Sequence, residues 1–139
     1  MLLHIGDDDK EMNIAKKYIG QLVWLLSYPN IRVQFQSAWA LANLAAFNED
    51  SRIKIHEAGG TKTLFEWYND MHFLVQLETL AALTNLTVSE LITADMVYTY
   101  KSIDFFMVLI QSNKPKHAQF AIIALGNIAR DEVLHNIFL

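Results

Sequence analysis

Three asparagines, Asn43, Asn85 and Asn127, stand at equal intervals along the chain, each inside an otherwise apolar helix-forming run: LANLA at 41–45, LTNLT at 83–87 and LGNIA at 125–129. A primary amide carries both donor and acceptor, the complement of one peptide unit. A row of evenly spaced amides can therefore hold an extended polypeptide by its main chain without reading its sequence. The same amide can instead bond the backbone of a neighbouring helix, and burying it with no partner costs on the order of a few kcal/mol. Trp39, one helical turn before Asn43, could pack a ligand side-chain stem or a cation. Core packing is the competing use of a large aromatic at helical spacing.

Bond-breaking chemistry finds no such pattern. The chain has no Gly-x-Ser-x-Gly, no His-Glu-x-x-His, no phosphate-cradling glycine loop and no EF-hand spacing. His4, His56, His72, His117 and His135 fall at scattered positions, and His56-Glu57 lacks a second ligand four residues on. They read as surface or partly buried histidines rather than a metal centre. The chain contains no cysteine, which excludes disulfides, thiolate catalysis and cysteine-ligated zinc. The expectation is a protein without catalysis, metal or cofactor. Asn85-Leu86-Thr87 matches a glycosylation sequon, but it lies inside an expected helix and reads as accidental.

Composition sets the outer limits. With 139 residues, 53% hydrophobic and 19% charged, the chain can bury a core, and its net charge of −4 disfavours nucleic acid as a partner. No uncharged apolar run approaches the roughly 18 residues a membrane span needs, and Met1 to Gly6 followed by Asp7-Asp8-Asp9 does not read as a secretory signal. A soluble cytoplasmic domain is expected, with a nuclear location as the alternative. The acidic run ending at Lys10 reads as a solvated helix start.

The asparagine spacing is one thread of a repeat that runs through the chain without insertion, with a period of about 42 residues, a length that marks stacked solenoid units. Steps of one period relate Leu22, Leu64 and Phe106; Leu25, Trp67 and Leu109; Ala40, Ala82 and Ala124; Leu41, Leu83 and Leu125; and the small residues Ser37, Thr79 and Ala121. Within each unit the apolar spacing predicts a helix over 19–28, 60–69 and 101–112, ending in turn residues such as Tyr28-Pro29-Asn30 and Asn113-Lys114-Pro115. A longer helix follows over 31–46, 73–88 and 115–129, and a shorter one over 50–58 and 93–100, with partial copies at 8–18 and 132–138. Asp50 is the expected start of the short helix, and Ala58-Gly59-Gly60 the bend after it. Three helices per repeat stack as an all-α, right-handed superhelix. The units are a partial repeat 1–18 and repeats 19–60, 61–102 and 103–139, the last incomplete. Met1 falls at the asparagine position and Leu139 at that of Ile55, and neither end reads as a polar cap. The expectation is a segment of a longer array, or a short array that self-associates end to end.

At these residues the chain resembles the armadillo repeat family. The resemblance rests on a short helix ending in alanine and glycine, a second helix with spaced leucines, and a third ending in small-x-Trp-Ala-Leu-x-Asn-Leu. Residues 19–60 carry it most fully, with Leu22, Leu25, Leu26, Ser37, Trp39, Ala40, Leu41, Asn43, Leu44, Ala58, Gly59 and Gly60 in place. The later copies replace the tryptophan by Ala81 and Ile123, and the Gly-Gly bend is matched by Lys17-Tyr18 and Lys101-Ser102.

The resemblance implies that the third helices line a concave, ligand-binding face. Helical spacing back from each asparagine then gives one stripe per repeat: Arg32, Gln36, Trp39 and Asn43; Leu74, Glu78, Ala81 and Asn85; Lys116, Phe120, Ile123 and Asn127. The candidate partner-binding residues are Asn43, Asn85, Asn127, Trp39, Arg32, Gln36, Glu78, Lys116 and Phe120. Only Trp39 with Asn43 completes the Trp-x-x-x-Asn pair that nuclear import adaptors repeat, and Arg32 and Lys116 disfavour a lysine-rich ligand. A protein segment, extended or partly helical, with apolar anchors suits the mixed stripe better. The competing expectation is a regulatory or structural segment of a larger protein that docks onto its neighbour or self-associates. Trp24 and Trp67 are expected in packing or on the convex side.

Overall fold

The computed structural model describes residues 9–130, and the regular structure there is helical throughout. In chain order the helices are α1 (Asp9–Lys16), α2 (Ile19–Leu25), α3 (Ile31–Phe47), α4 (Glu49–Glu57), α5 (Gly60–Trp67), α6 (Phe73–Leu86), α7 (Glu90–Tyr100), α8 (Ser102–Ile110) and α9 (Pro115–Ala129), with a 3-10 turn at Tyr68–Asp70. The three-helix period is therefore present: α2, α5 and α8 are second helices, α3, α6 and α9 third helices, and α4 and α7 first helices. The partial copy expected over 8–18 corresponds to α1, while the one over 132–138 lies outside the described residues. None of the helices described is long and apolar enough to cross a membrane.

Side-chain caps set where several helices begin. Asn30 Oδ1 accepts the N–H of Val33 at 3.1 Å to open α3, and His72 Nδ1 accepts that of Leu74 at 3.2 Å to open α6. Pro115 opens α9 at a position where the missing amide hydrogen goes unnoticed. At α4 the cap is Asn48, whose Oδ1 accepts the Ser51 N–H at 2.8 Å. Asp50, expected to start that helix, lies instead in its first turn and pairs with Lys16 and Lys54. Helix α7 begins at Glu90 rather than 93, because Ser89 caps it through the Ile92 N–H. Helix α6 stops at Leu86, short of the expected 88, and Thr87 closes it by donating its hydroxyl to the Thr84 carbonyl.

The third helices form the spine, and the small residues that recur in the sequence let them approach. Ser37, Thr79 and Ala121 are all buried, as are Ala38, Ala42, Ala81, Ala82 and Ala124. Around them Leu26, Leu41, Leu44, Leu64, Leu80, Leu83, Leu86 and Phe106 are fully shielded, each side chain contributing about 1.5–3 kcal/mol of transfer free energy. Trp24 and Trp67 lie on the second helices and remain exposed, on the layer opposite the third helices.

The bends between repeats meet one geometric demand with different residues. Gly59 takes the left-handed conformation (φ 84°), and a Cβ on the following Gly60 would lie 2.5 Å from Ile55 Cγ2 and 2.8 Å from the Ile55 carbonyl oxygen. One repeat later Lys101 adopts the same left-handed region (φ 51°, ψ 48°) without being glycine. A side chain in that region costs about 1–2 kcal/mol, so the fold imposes the bend even where the sequence resists it.

Candidate functional site

The three stripes of α3, α6 and α9 differ in how much each position shows to solvent. In the first, Arg32 and Gln36 are exposed, Trp39 is half-buried and Asn43 is 4% exposed. In the second, Leu74 is 48% exposed, Glu78 and Ala81 are buried and Asn85 is half-buried. In the third, Lys116 and Ile123 are exposed, while Phe120 and Asn127 are half-buried.

The asparagines do not share one environment. Asn85 Nδ2 donates to the Ala42 carbonyl at 2.8 Å, tying α6 to α3. Asn127 Nδ2 donates at 3.0 Å to Thr87 Oγ1, and that hydroxyl donates in turn to the Thr84 carbonyl, the frame equivalent of Ala42. Arg130 Nη2 approaches Asn127 Oδ1 at 3.5 Å, and Thr84 Oγ1 adds a bond to the Phe120 carbonyl at 3.3 Å. Among the described residues, neither amide atom of Asn43 has a hydrogen-bond partner. Two of the three amides thus have donors engaged by the scaffold, and the third is buried.

At the N-terminal ends of α3 and α6 the stripes enclose a groove of about 460 Å³ lined by Ile31, Arg32, Phe35, Gln36 and Leu74. Three of these residues, Arg32, Gln36 and Leu74, follow from the helical spacing of the stripe; Ile31 and Phe35 sit one position off it and supply the apolar wall. Deeper along α6, Glu78 is 9% exposed, its Oε2 without a hydrogen-bond partner among the described residues, and burial pushes its pKa up. At the other end of the third helices, Thr87, Val88, Glu90, Asn127 and Arg130 line a smaller, polar cleft of about 190 Å³.

The histidines meet sequence expectation only in part. His117, expected at the surface or partly buried, is 6% exposed, neither ring nitrogen has a partner among the described residues, and burial lowers its pKa. His56 Nδ1 shares a hydrogen bond with Thr61 Oγ1 at 2.8 Å, and its Nε2 lies 3.4 Å from Asp95 Oδ2. Thr99 Oγ1 donates to the other Asp95 oxygen at 2.6 Å. Spacing in sequence could not reveal this set, because α4, α5 and α7 bring it together. Its connectivity has the form of hydroxyl, imidazole and carboxylate, yet Thr61 is 0% exposed, so its oxygen is closed to any substrate. The set ties the first and second helices of neighbouring repeats. Among the described residues, no three histidine, aspartate or glutamate side chains are grouped to hold a metal ion.

These features define an all-helical solenoid of three-helix repeats whose third helices carry a partly open groove. Residues 18–46 match the model of the armadillo/beta-catenin-like repeat, and the fold of the chain is that of an armadillo-type solenoid. Its fold matches that of solved engineered proteins. One is 24% identical over 91% of this chain and 60% of its own, with a TM-score of 0.78. A second engineered protein is 27% identical over 88% of this chain and 52% of its own, again at 0.78. A computationally designed armadillo repeat protein for modular peptide recognition is 22% identical over the same shares, 88% and 52%, with a TM-score of 0.78. The chain thus spans little more than half the length of these structures. No curated protein matches it in sequence.

Proposed function

We propose that the chain is a protein-interaction module that holds a polypeptide segment, extended or partly helical, along the third helices α3, α6 and α9. The observation that carries this reading is the 460 Å³ groove, in which Arg32, Gln36 and Leu74 from successive third helices meet with their side chains uncovered. Trp39, half-buried on the same stripe, continues that face inward. The designed armadillo protein made for modular peptide recognition supports the same reading by analogy of fold.

The test starts from a displayed library of random dodecapeptides selected against the purified chain. A selected peptide should lose most of its affinity when Gln36→Ala is combined with Leu74→Ser in the groove. It should keep its affinity with Val108→Ser on the opposite layer, where Val108 is 68% exposed. Equal loss from both variants, or loss only from Val108→Ser, would contradict the reading.

A further inference from the structure

Charge is divided unevenly over the solenoid. The turns that lead into the third helices and the first residues of those helices, 27–32, 68–74 and 111–116, carry Arg32, Lys114 and Lys116 against the single carboxylate of Asp70. None of these three cations makes an ion pair among the described residues. Several acids elsewhere are engaged: Glu49 accepts from Arg52 and Ser89, Asp50 pairs with Lys16 and Lys54, and Asp95 is held by His56 and Thr99. A chain of net charge −4 therefore presents an unneutralised positive rim along one side of its groove. Helices α3, α6 and α9, of 17, 14 and 15 residues, all point their N-termini at this rim and add partial positive charge there.

The order of residues along the rim is also defined. Arg32, Leu74 and Lys116 occupy the same frame position in successive third helices, so the rim reads cation, apolar, cation. Leu74 stands 48% exposed between the two charges and forms part of the groove wall with Ile31 and Phe35. Packed helices lie roughly 8–10 Å apart, and an extended chain rises about 3.3 Å per residue. The rungs are thus about two to three residues of an extended ligand apart, and since side chains on one face of an extended chain recur every second residue, successive rungs meet every second residue. Resting on the groove reading above, we infer that the occupant is a protein segment with two acidic residues flanking an apolar one, each two residues away from it. The carboxylates face Arg32 and Lys116, and the apolar side chain enters the groove against Leu74, Ile31 and Phe35. The one carboxylate of the stripes, Glu78, opposes such a ligand less than an exposed acid would, since burial favours its neutral form.

Two synthetic pentapeptides separate the charge pattern from groove binding itself: Glu-Ser-Leu-Ser-Glu and its counterpart with lysine at both ends. Titrated into the isotope-labelled full chain and followed by amide shifts, the glutamate-flanked peptide should move the Arg32, Leu74 and Lys116 signals. It should bind about tenfold more tightly than the lysine-flanked one, and the preference should shrink as salt is raised. Arg32→Ala with Lys116→Ala should abolish the preference, whereas Trp24→Ala on the exposed second helix leaves it intact. A lysine-flanked peptide that binds the same residues equally well or better overturns this inference while leaving the groove reading in place. Shifts confined to α5 and α8 overturn both. No shift from the glutamate-flanked peptide overturns the charge inference, with the library selection deciding the groove reading separately.

Discussion

The junction of α3 with α6 and the junction of α6 with α9 use the same asparagine at the same frame position, yet they are built differently. At the first, Asn85 bonds the Ala42 carbonyl directly. At the second, Asn127 reaches only Thr87 Oγ1, which itself holds the equivalent carbonyl of Thr84. Two differences accompany this: Thr87 stands where the first junction has Ala45, which carries no hydroxyl to interpose, and α6 ends at Leu86 whereas α3 runs on to Phe47. A constant spacing within one chain thus fixes where an amide sits, and the residues at the local helix end decide what it bonds. The bends teach the same lesson, since Gly59 and Lys101 share a left-handed backbone despite unlike side chains.

The largest test of this comparison is Gly60→Ala. The added methyl would collide with Ile55, so thermal or denaturant unfolding should show a loss of about 2–3 kcal/mol. The equivalent Ser102 already carries a Cβ, so Ser102→Ala should cost far less; equal costs would mean that the two bends are packed alike.

Thr87→Val should cost about 1–3 kcal/mol, because it strands the Asn127 donor and removes a bond to the Thr84 carbonyl. Adding Asn127→Ala should then cost little more, whereas independent, additive losses would show that the relay does not couple them.

His117 occupies the frame position of Val75, which is fully buried. Its pKa is lowered in the folded chain, so the folded state resists protonation. Stability should therefore fall as pH drops from the ordinary histidine value of 6.5 toward the lowered value. His117→Val should flatten that part of the pH profile measured by denaturant unfolding, and an unchanged slope below neutral pH would place the acid sensitivity elsewhere.

The smallest effect is a gain. Lys101→Gly should stabilise the chain by about 1 kcal/mol by relieving the left-handed side chain. A loss on unfolding would mean that the lysine contributes contacts outweighing its backbone strain.

The solenoid was legible in the sequence because its cause is periodic: asparagine, leucine and small residues recur at one constant interval, and each recurrence marks a third helix. The exposed part of the groove was legible for the same reason, since Arg32, Gln36 and Leu74 follow from helical spacing. Other features depend on contacts that spacing does not encode. The cap at Asn48 displaced Asp50, and the Thr87 relay rests on a hydroxyl that Ala45, at the same frame position, does not carry. Ile31 and Phe35 joined the groove from positions beside the stripe, and the burial of His117 follows from substitution at a core position that valine fills elsewhere.

The central claim is that a polypeptide lies along the third helices. Cross-saturation from a library-selected peptide to the isotope-labelled chain tests it most directly. The account predicts that saturation falls on Ile31, Gln36, Trp39 and Leu74 and spares the exposed Trp24, Met107 and Val108. Saturation centred on Met107 and Val108, with the α3 and α6 signals untouched, would contradict it.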